Sequence, residues 1–354
     1  MALTAFCGTR HHLATRADDH LVNRADDRDV TVGAVISTNG LRRMFPGGGG
    51  LESLSIEVGE GEVLALLGPN GAGKTTTVRL LNGVLAADAG SATVLGIDPA
   101  VNGDAVRSKT GVLTENAGLD DRLTAFENLW FAARMRGLGA GVAKKRIDAM
   151  LEEFGLADRR DATVQGMSTG QRKRVALIRA LVHEPEVLFL DEPTSGLDPS
   201  ATRSVLDLIA RLAGEGRTVV LCTHFLGEAG RLADRAAILD HGRLYAYGRP
   251  AALAAELWPG SALTLDFGRP ADASQLAFLR TTPGVITVDA DENGAALRID
   301  DRGRVPHLVA SIVARNIDIY GATVHPDTLE QVYFAIEALI ATDTARQSST
   351  EQAA

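Results

Sequence analysis

Several kinds of residue and segment are scarce in this sequence of 354 residues, and each scarcity excludes a class of protein. Cysteine occurs only at Cys7 and Cys222, which excludes a disulfide scaffold, and we expect Cys222 to pack as a small apolar side chain. No apolar run reaches the roughly 18 residues that a membrane span needs. The N-terminal residues have no apolar core like that of a signal peptide.

Aromatic residues and positive charge are also scarce. Aromatic side chains make up 5% of the sequence, and the formal net charge is -9. Proteins that bind nucleic acid broadly carry a basic excess, so we expect no nucleic acid partner. A hydrophobic content of 45% and a charged content of 23% are typical of an ordinary soluble protein.

Changes in composition along the chain predict two domains with loose ends, which agrees with a length of 354 residues. The boundaries that we expect are a disordered extension at 1–34, an α/β domain at 35–260 with a helical insertion at about 116–166, a small domain at 261–340 and a loose tail at 341–354. In the small domain, the segments read strand, helix, strand, strand, helix, strand, with a helix at 328–339 after them. This order predicts a split βαβ, ferredoxin-like α+β fold.

A glycine-rich motif follows a continuous apolar run at 62–67 and precedes a predicted helix at 75–85. Such runs are typical of strands buried on both faces. Its glycines allow backbone N–H groups to point at phosphate oxygens, while Lys74 faces the terminal phosphates and Thr75 offers a hydroxyl to Mg²⁺. The sequence therefore predicts an ATP site with Mg²⁺ at Gly68, Pro69, Asn70, Gly71, Ala72, Gly73, Lys74, Thr75 and Thr76.

Two further apolar runs end in residues that suit phosphate chemistry. Asp191 and Glu192 follow the run at 187–190, where Asp191 can hold the metal ion and Glu192 can take a proton from the attacking water. His224 follows the run at 218–222. A parallel neighbouring strand would bring His224 to the same sheet edge, so we predict Glu192 and His224 as catalytic residues.

These motifs together resemble the nucleotide-binding subunit of ATP-binding cassette (ABC) transporters over residues 35–260. The resemblance is carried by GPNGAGKTT at 68–76, MSTGQRKRVALIRAL at 167–181 and LFLDEPTSGLDP at 188–199. It implies an ABC-type P-loop NTPase core. It also implies a stacking role for Phe45 on adenine, a central place for Asp198 in the loop that crosses the dimer, and a signature that meets ATP held by the other subunit, formed by Ser168, Thr169, Gly170 and Gln171.

One position departs from the family pattern. Glu115 stands where the family carries a glutamine that touches Mg²⁺ and water. A carboxylate can still bind Mg²⁺, but it adds negative charge beside the terminal phosphate.

The resemblance implies an ATPase that works as a homodimer around two ATP molecules and drives a separate multi-span permease. It would lie peripherally on the cytoplasmic face of the cell membrane. The segment at 328–333 resembles the ending of drug-resistance and sodium-export cassettes, which indicates export. Trp130, Phe131 and Met135 are candidates for the groove that receives the permease, although core packing explains them equally well. The alternatives are an ABC ATPase acting on ribosomes or DNA, and an ATP-binding regulator without catalysis.

Overall fold

The structure, a computed structural model, describes the backbone of residues 33–351, so nearly all of the predicted extension at 1–34, with Cys7, lies outside the described residues. Residues 33–249 and 250–351 form two compact units. The first unit contains a nine-stranded sheet. Its strands are β1 (Ile36–Met44), β2 (Gly50–Val58), β3 (Val63–Leu67), β4 (Ala89–Val94), β5 (Thr110–Leu113), β6 (Val187–Asp191), β7 (Thr218–Cys222), β8 (Arg235–Asp240) and β9 (Arg243–Gly248).

The centre of this sheet is parallel, which decides where the motifs meet. The strand order is β4-β1-β2-β9-β8-β3-β7-β6-β5, and the five strands from β8 to β5 run parallel to one another. Every residue of β3, β6 and β7 is buried, including Cys222, as the apolar runs predicted. Leu66 and Asp191 both lie opposite Cys222, so the segments that follow these three strands emerge at one edge of the sheet.

The helices of the first unit pack around this sheet or form a separate layer. The helical segment at 116–166 holds two of them, and its own core contains Leu129, Ile147 and Val164. The first of these two helices begins with a capping box at Thr124 and Glu127, in which each side chain accepts from the other residue's backbone N–H. The helices are α1 (Lys74–Leu81), α2 (Gly103–Lys109), α3 (Ala125–Met135), α4 (Ala140–Glu153), α5 (Thr169–Leu181), α6 (Pro199–Gly214) and α7 (Leu226–Leu232).

The second unit confirms the split βαβ prediction. Its four strands are antiparallel in the order β11-β12-β10-β13, so the first and third strands are central and adjacent. Three apolar side chains of its core are Leu263, Leu297 and Ile312. Its elements are α8 (Pro250–Leu257), β10 (Ser261–Asp266), α9 (Ala273–Thr281), β11 (Val285–Asp291), β12 (Gly294–Ile299), α10 (Val305–Val313), β13 (Gly321–His325) and α11 (Leu329–Glu351).

The end of the chain differs from the prediction. We expected a loose tail at 341–354, but α11 continues to Glu351. The sequence after Leu329 contains neither glycine nor proline, so no residue there interrupts the helical hydrogen bonds. Along the described part of the chain, 33–351, no helix has both the length and the apolar character to span a bilayer.

Candidate functional site

The glycine-rich loop between β3 and α1 has a backbone that only glycine adopts without strain. Gly68, Gly71 and Gly73 have φ of 148°, 85° and 105°. A Cβ atom on Gly68 would lie 2.1 Å from the Leu239 carbonyl oxygen, and one on Gly73 would lie 2.8 Å from that of Gly50. The loop is therefore closely packed on its sheet side, whereas Pro69, Asn70 and Gly71 are exposed.

Lys74 is buried beneath this loop, with 8% of its surface exposed. Its Nζ donates to the carbonyl oxygens of Gly68 at 2.6 Å and Pro69 at 3.0 Å. An ammonium group has three donors, so these bonds leave one for another acceptor. Lys74 thus lies under the loop, where its charge is directed at whatever the loop binds.

Thr75 and Asp191 connect the loop to the end of β6. The Thr75 hydroxyl donates to Asp191 Oδ2 at 3.1 Å. Burial raises the pKa of Asp191, and the neighbouring carboxylates of Glu192 and Glu115 act in the same direction, whereas the bond from Thr75 lowers it. The net shift of this pKa is upward, so the ionised carboxylate lacks full compensation in the protein alone.

Glu192 and His224 are in direct contact at the ends of β6 and β7. His224 Nδ1 lies 2.8 Å from Glu192 Oε1, and the His224 backbone N–H donates to the same oxygen at 3.1 Å. Glu192 has a left-handed φ of 50°, an uncommon conformation that residues at functional sites adopt more often than others. The Thr223 hydroxyl donates to Glu192 Oε2 at 3.4 Å, so the carboxylate is held at both oxygens.

Glu115 follows β5 at the same edge, and its side chain is exposed. Its carbonyl oxygen accepts a hydrogen bond of 3.3 Å from Lys173 Nζ. The sequence reasoning did not identify Lys173, which is only 4% exposed. Lys173 lies three and four residues before the buried Ala176 and Leu177 of α5, but lysine on a helix is normally exposed, so this spacing alone does not indicate that Lys173 is buried.

The segment 168–171 forms the N-terminus of α5. Ser168 Oγ accepts from the Gln171 N–H at 3.3 Å, and Gln171 Oε1 accepts from the Ser168 N–H at 3.0 Å. Between them, Thr169 is exposed and Gly170 is half-buried. Among residues 33–342, no hydrogen bond joins this segment to the phosphate loop of the same chain.

Asp198 caps the N-terminus of α6. Its Oδ1 accepts from the N–H groups of Ser200 and Ala201, each at 2.9 Å, and the bond from Ala201 is the main cause that lowers the pKa of Asp198. The loop before it lies beside the signature segment, since a Cβ on Gly196 would meet Thr169 Cγ2 at 3.2 Å.

Phe45 lies in the turn between β1 and β2 and is half-buried. The guanidinium carbon of Arg43 lies 5.4 Å from the centre of its ring. The turn ends at Gly50, whose carbonyl oxygen packs against Gly73 of the phosphate loop. Phe45 therefore lies in the same turn as Gly50, which contacts the phosphate loop directly.

Phe131 and Met135 project from α3 with 63% and 73% of their surfaces exposed. Trp130 is half-buried instead, and its ring stacks on Phe126 at a centroid distance of 5.7 Å. Core packing thus accounts for Trp130 but not for its two exposed neighbours.

The donors at this edge fit a triphosphate with Mg²⁺. Mg²⁺ in such sites keeps one or two protein oxygens and takes the rest from phosphates and water, and Thr75 and Asp191 supply two oxygens in contact. In the described part of the chain, no group of three or more His, Cys, Asp or Glu side chains could hold a metal ion by itself.

Comparisons with known proteins agree with this geometry. A family model described as ABC transporter matches residues 51–195. The daunorubicin/doxorubicin resistance ATP-binding protein DrrA of Streptomyces peucetius is 35% identical over 90% of this chain and 96% of its own. The Nod factor export ATP-binding protein I of Ralstonia nicotianae is 39% identical over 61% of this chain and 67% of its own.

A solved structure, that of an ATP-binding subunit of an ABC transporter, is also similar. It has a TM-score of 0.59 and 30% identity, and covers 63% of this chain and 93% of its own. These similarities confirm the predicted ABC-type α/β core and the prediction of an ATP-hydrolysing protein. The chain therefore belongs to the ABC transporter family, as an ATP-binding subunit with ATPase activity.

Proposed function

We propose that two copies of this chain close around two ATP molecules and hydrolyse them with Mg²⁺ to power export through a separate membrane-spanning permease. The subunit would act peripherally at the cytoplasmic face of the membrane. The observation that carries this proposal is the convergence of Lys74, Thr75, Asp191, Glu192 and His224 at one sheet edge. The similarity to a drug-resistance ATP-binding protein and to a Nod factor export ATP-binding protein supports export.

Each residue of this edge has a role that its contacts support. Lys74 and the N–H groups of the loop bind the phosphates, and Thr75 and Asp191 would hold Mg²⁺, which neutralises phosphate charge when bound. Glu192 takes a proton from the attacking water. His224 fixes the Glu192 carboxylate through Oε1 by its Nδ1, and its Nε2 would face the terminal phosphate.

The remaining candidates extend the pocket around the nucleotide. Phe45 offers an aromatic face for the adenine, because its turn ends against the phosphate loop. Glu115, at the end of β5, contributes a carboxylate to the metal side of the site. Asp198 holds the start of α6 and lies in the loop that would cross between the two copies.

Gly170 supports a pocket that a second copy completes. Its φ is not left-handed, and an added Cβ would meet only Leu197 Cδ2 at an ordinary 3.5 Å. Nothing in the described part of the subunit therefore requires glycine at this half-buried position. A phosphate group approaching the α5 N-terminus from another copy would require it, because helix N-termini bind anions through their free N–H groups.

A complementation experiment tests this arrangement. Lys74→Ala removes the phosphate cation, and Gly170→Asp puts a carboxylate on the signature, so each homodimer loses both of its pockets. Mixed, the two variants form dimers in which one pocket has an intact loop from one copy and an intact signature from the other. We expect ATPase activity to return on mixing, to about a quarter of the wild-type rate if copies pair at random and one pocket suffices.

The matched control is Lys109→Ala, which removes an exposed lysine whose only described ion pair is with Glu186 on the surface. This variant should keep wild-type turnover. Mixing it with Lys74→Ala or with Gly170→Asp should give no more ATPase activity than the sum of the two proteins measured separately. If the Lys74→Ala and Gly170→Asp mixture stays inactive although both variants bind a fluorescent ATP analogue or dimerise with wild type, the pocket is not shared between copies.

The permease is tested separately. The wild-type chain, carrying an affinity tag, should recover a multi-span membrane protein from detergent-solubilised membranes of the cells that make it. Recovery of ribosomal subunits or DNA instead would support the alternative class of ABC ATPase.

A further inference from the structure

Lys173 is a buried cation to which the proposed mechanism gives no task. It lies five residues after Ser168, and 4% of its surface is exposed. In the described part of the chain its Nζ has one acceptor, the Glu115 carbonyl oxygen at 3.3 Å. Burying an ammonium group costs free energy unless nearby charges compensate, so something else at this position must stabilise it.

Three carboxylates supply that compensation. Burial lowers the pKa of Lys173, while Asp191, Glu192 and Glu115 act against this shift, in decreasing order. Burial raises the pKa of Asp191, and repulsion by Glu192 and Glu115 raises it further. Lys173 therefore lies within the electrostatic range of all three.

The packing of α5 explains how this lysine reaches the site. Ala176 and Leu177 pack in one apolar cluster with Leu113 at the end of β5 and Leu190 near the end of β6. Lys173 lies one helical turn earlier, so it projects past the ends of these strands toward the residues that follow them. Those residues include Glu115 and Asp191.

We propose that Lys173 is a positioning residue that holds the Glu115 loop against the hydrolytic site and balances the negative charge that Glu115 adds there. The inference rests on the proposed function, because it assigns a task toward the same site. Glu115 is the departure from the glutamine of the family pattern, and a third carboxylate beside Asp191 and Glu192 would repel the terminal phosphate. A cation on α5 offsets this repulsion and ties the charge of the site to the helix that begins at Ser168.

Arg179 provides a matched control on the same helix. Its guanidinium donates to the Gly118 carbonyl oxygen, so it also attaches the loop after β5 to α5. It lies six residues beyond Lys173, a distance of about 9 Å along the helix axis. Loss of Arg179 would therefore loosen the loop without removing charge next to Glu115.

The test is a double-mutant cycle on the full chain, with kcat and KM for MgATP measured for each variant. Lys173→Met removes the charge and the hydrogen bond, and Lys173→Gln removes the charge but keeps a donor. We expect each to lower kcat on the order of tenfold in the Glu115 background. In the Glu115→Gln background the loss should shrink to a few-fold, because the charge that Glu115 adds is gone while those of Asp191 and Glu192 remain.

Arg179→Met should lower kcat by the same factor in both backgrounds. If Lys173→Met or Lys173→Gln lowered kcat by the same factor in the two backgrounds, the proposal that Lys173 balances the charge of Glu115 would be wrong. Lys173 would then be a packing residue. If only Lys173→Met fails to fold, Lys173→Gln decides the question. Failure of the proposed function itself is recognised independently, since Glu192→Gln would then hydrolyse ATP at the wild-type rate with Lys173 intact.

Discussion

His224 Nδ1 and Glu192 Oε1 lie 2.8 Å apart, and the backbone N–H of His224 donates to the same oxygen. The Glu192 carboxylate is thereby fixed between the ends of β6 and β7. The backbone of Glu192 has the strained left-handed conformation. His224 itself is half open to solvent, with 57% of its side chain exposed, so one face of the ring is free for substrate.

Glu192→Gln should keep ATP binding and lower turnover by about 10²- to 10⁴-fold, the usual effect of losing a general base. Binding is measured with a fluorescent ATP analogue and turnover by phosphate release. Near-normal turnover in this variant would remove the role given to Glu192.

His224→Ala should lower turnover by roughly 10²-fold, because the carboxylate loses its orienting partner and the phosphate loses the ring. Thr223→Val is the control, since it removes the longer 3.4 Å bond to the other carboxylate oxygen and should cost less than tenfold. If His224→Ala lost no more turnover than Thr223→Val, the imidazole ring would have a packing role and no role in catalysis.

Asp191→Asn should make the nucleotide-free protein more stable while it abolishes Mg²⁺-dependent turnover. The pKa of Asp191 is raised in the folded state, so ionisation destabilises the fold. Below the unfolded pKa near 3.9 the residue is protonated in both states and the substitution is neutral. The gain in stability of Asp191→Asn over the wild type should appear as the pH rises through the pKa of Asp191 in the folded state, and it should stay constant above that pH.

Thermal unfolding at several pH values checks this prediction. The expected gain at neutral pH is a few degrees in Tm. Asp120→Asn is a control of opposite sign, because hydrogen bonds from Arg122 lower the pKa of Asp120 to about 2. The ionised Asp120 therefore stabilises the fold, and this stabilisation is lost as the pH falls from the unfolded pKa toward the folded one. A lower Tm for Asp191→Asn at neutral pH would contradict the argument.

Much of the core and the site could be predicted from the sequence. Strands β3, β6 and β7 are continuous apolar runs because both of their faces are buried, and the motifs after them meet because the strands are parallel. Strand β4 was not predicted, because four of its six residues are exposed and small or polar. Strand β1 was also missed, since Gly40 and a register shift interrupt its alternation.

Other features depend on contacts that no local pattern contains. A lysine on a helix is normally exposed, so the burial of Lys173 followed only from the packing of α5 against β5 and β6. The seating of Gly73 against the Gly50 carbonyl joins residues on different elements. Neither relationship has a signature within a short stretch of sequence.

Gly68→Ala should destabilise the protein by about 3 kcal/mol and prevent ATP binding. Its φ of 148° is unfavourable for alanine, and the new Cβ would lie 2.1 Å from the Leu239 carbonyl oxygen. Gly141→Ala is the control, because it lies in α4 with nothing within 4 Å, and should be neutral or stabilise by up to about 1 kcal/mol. Chemical denaturation measures both, and equal effects would contradict the strain argument.

Phe131→Ser combined with Met135→Ser should leave the ATPase activity of the isolated subunit unchanged and weaken capture of a membrane partner at least tenfold. Both side chains are exposed and apolar on α3, and truncating apolar anchors at an interface costs more than about 1 kcal/mol. Val101→Ser, at a position with 83% exposure outside α3, is the control and should retain the partner. Recovery of the membrane protein from detergent extracts measures the effect. Full recovery by the doubly substituted chain would show that α3 does not receive the permease.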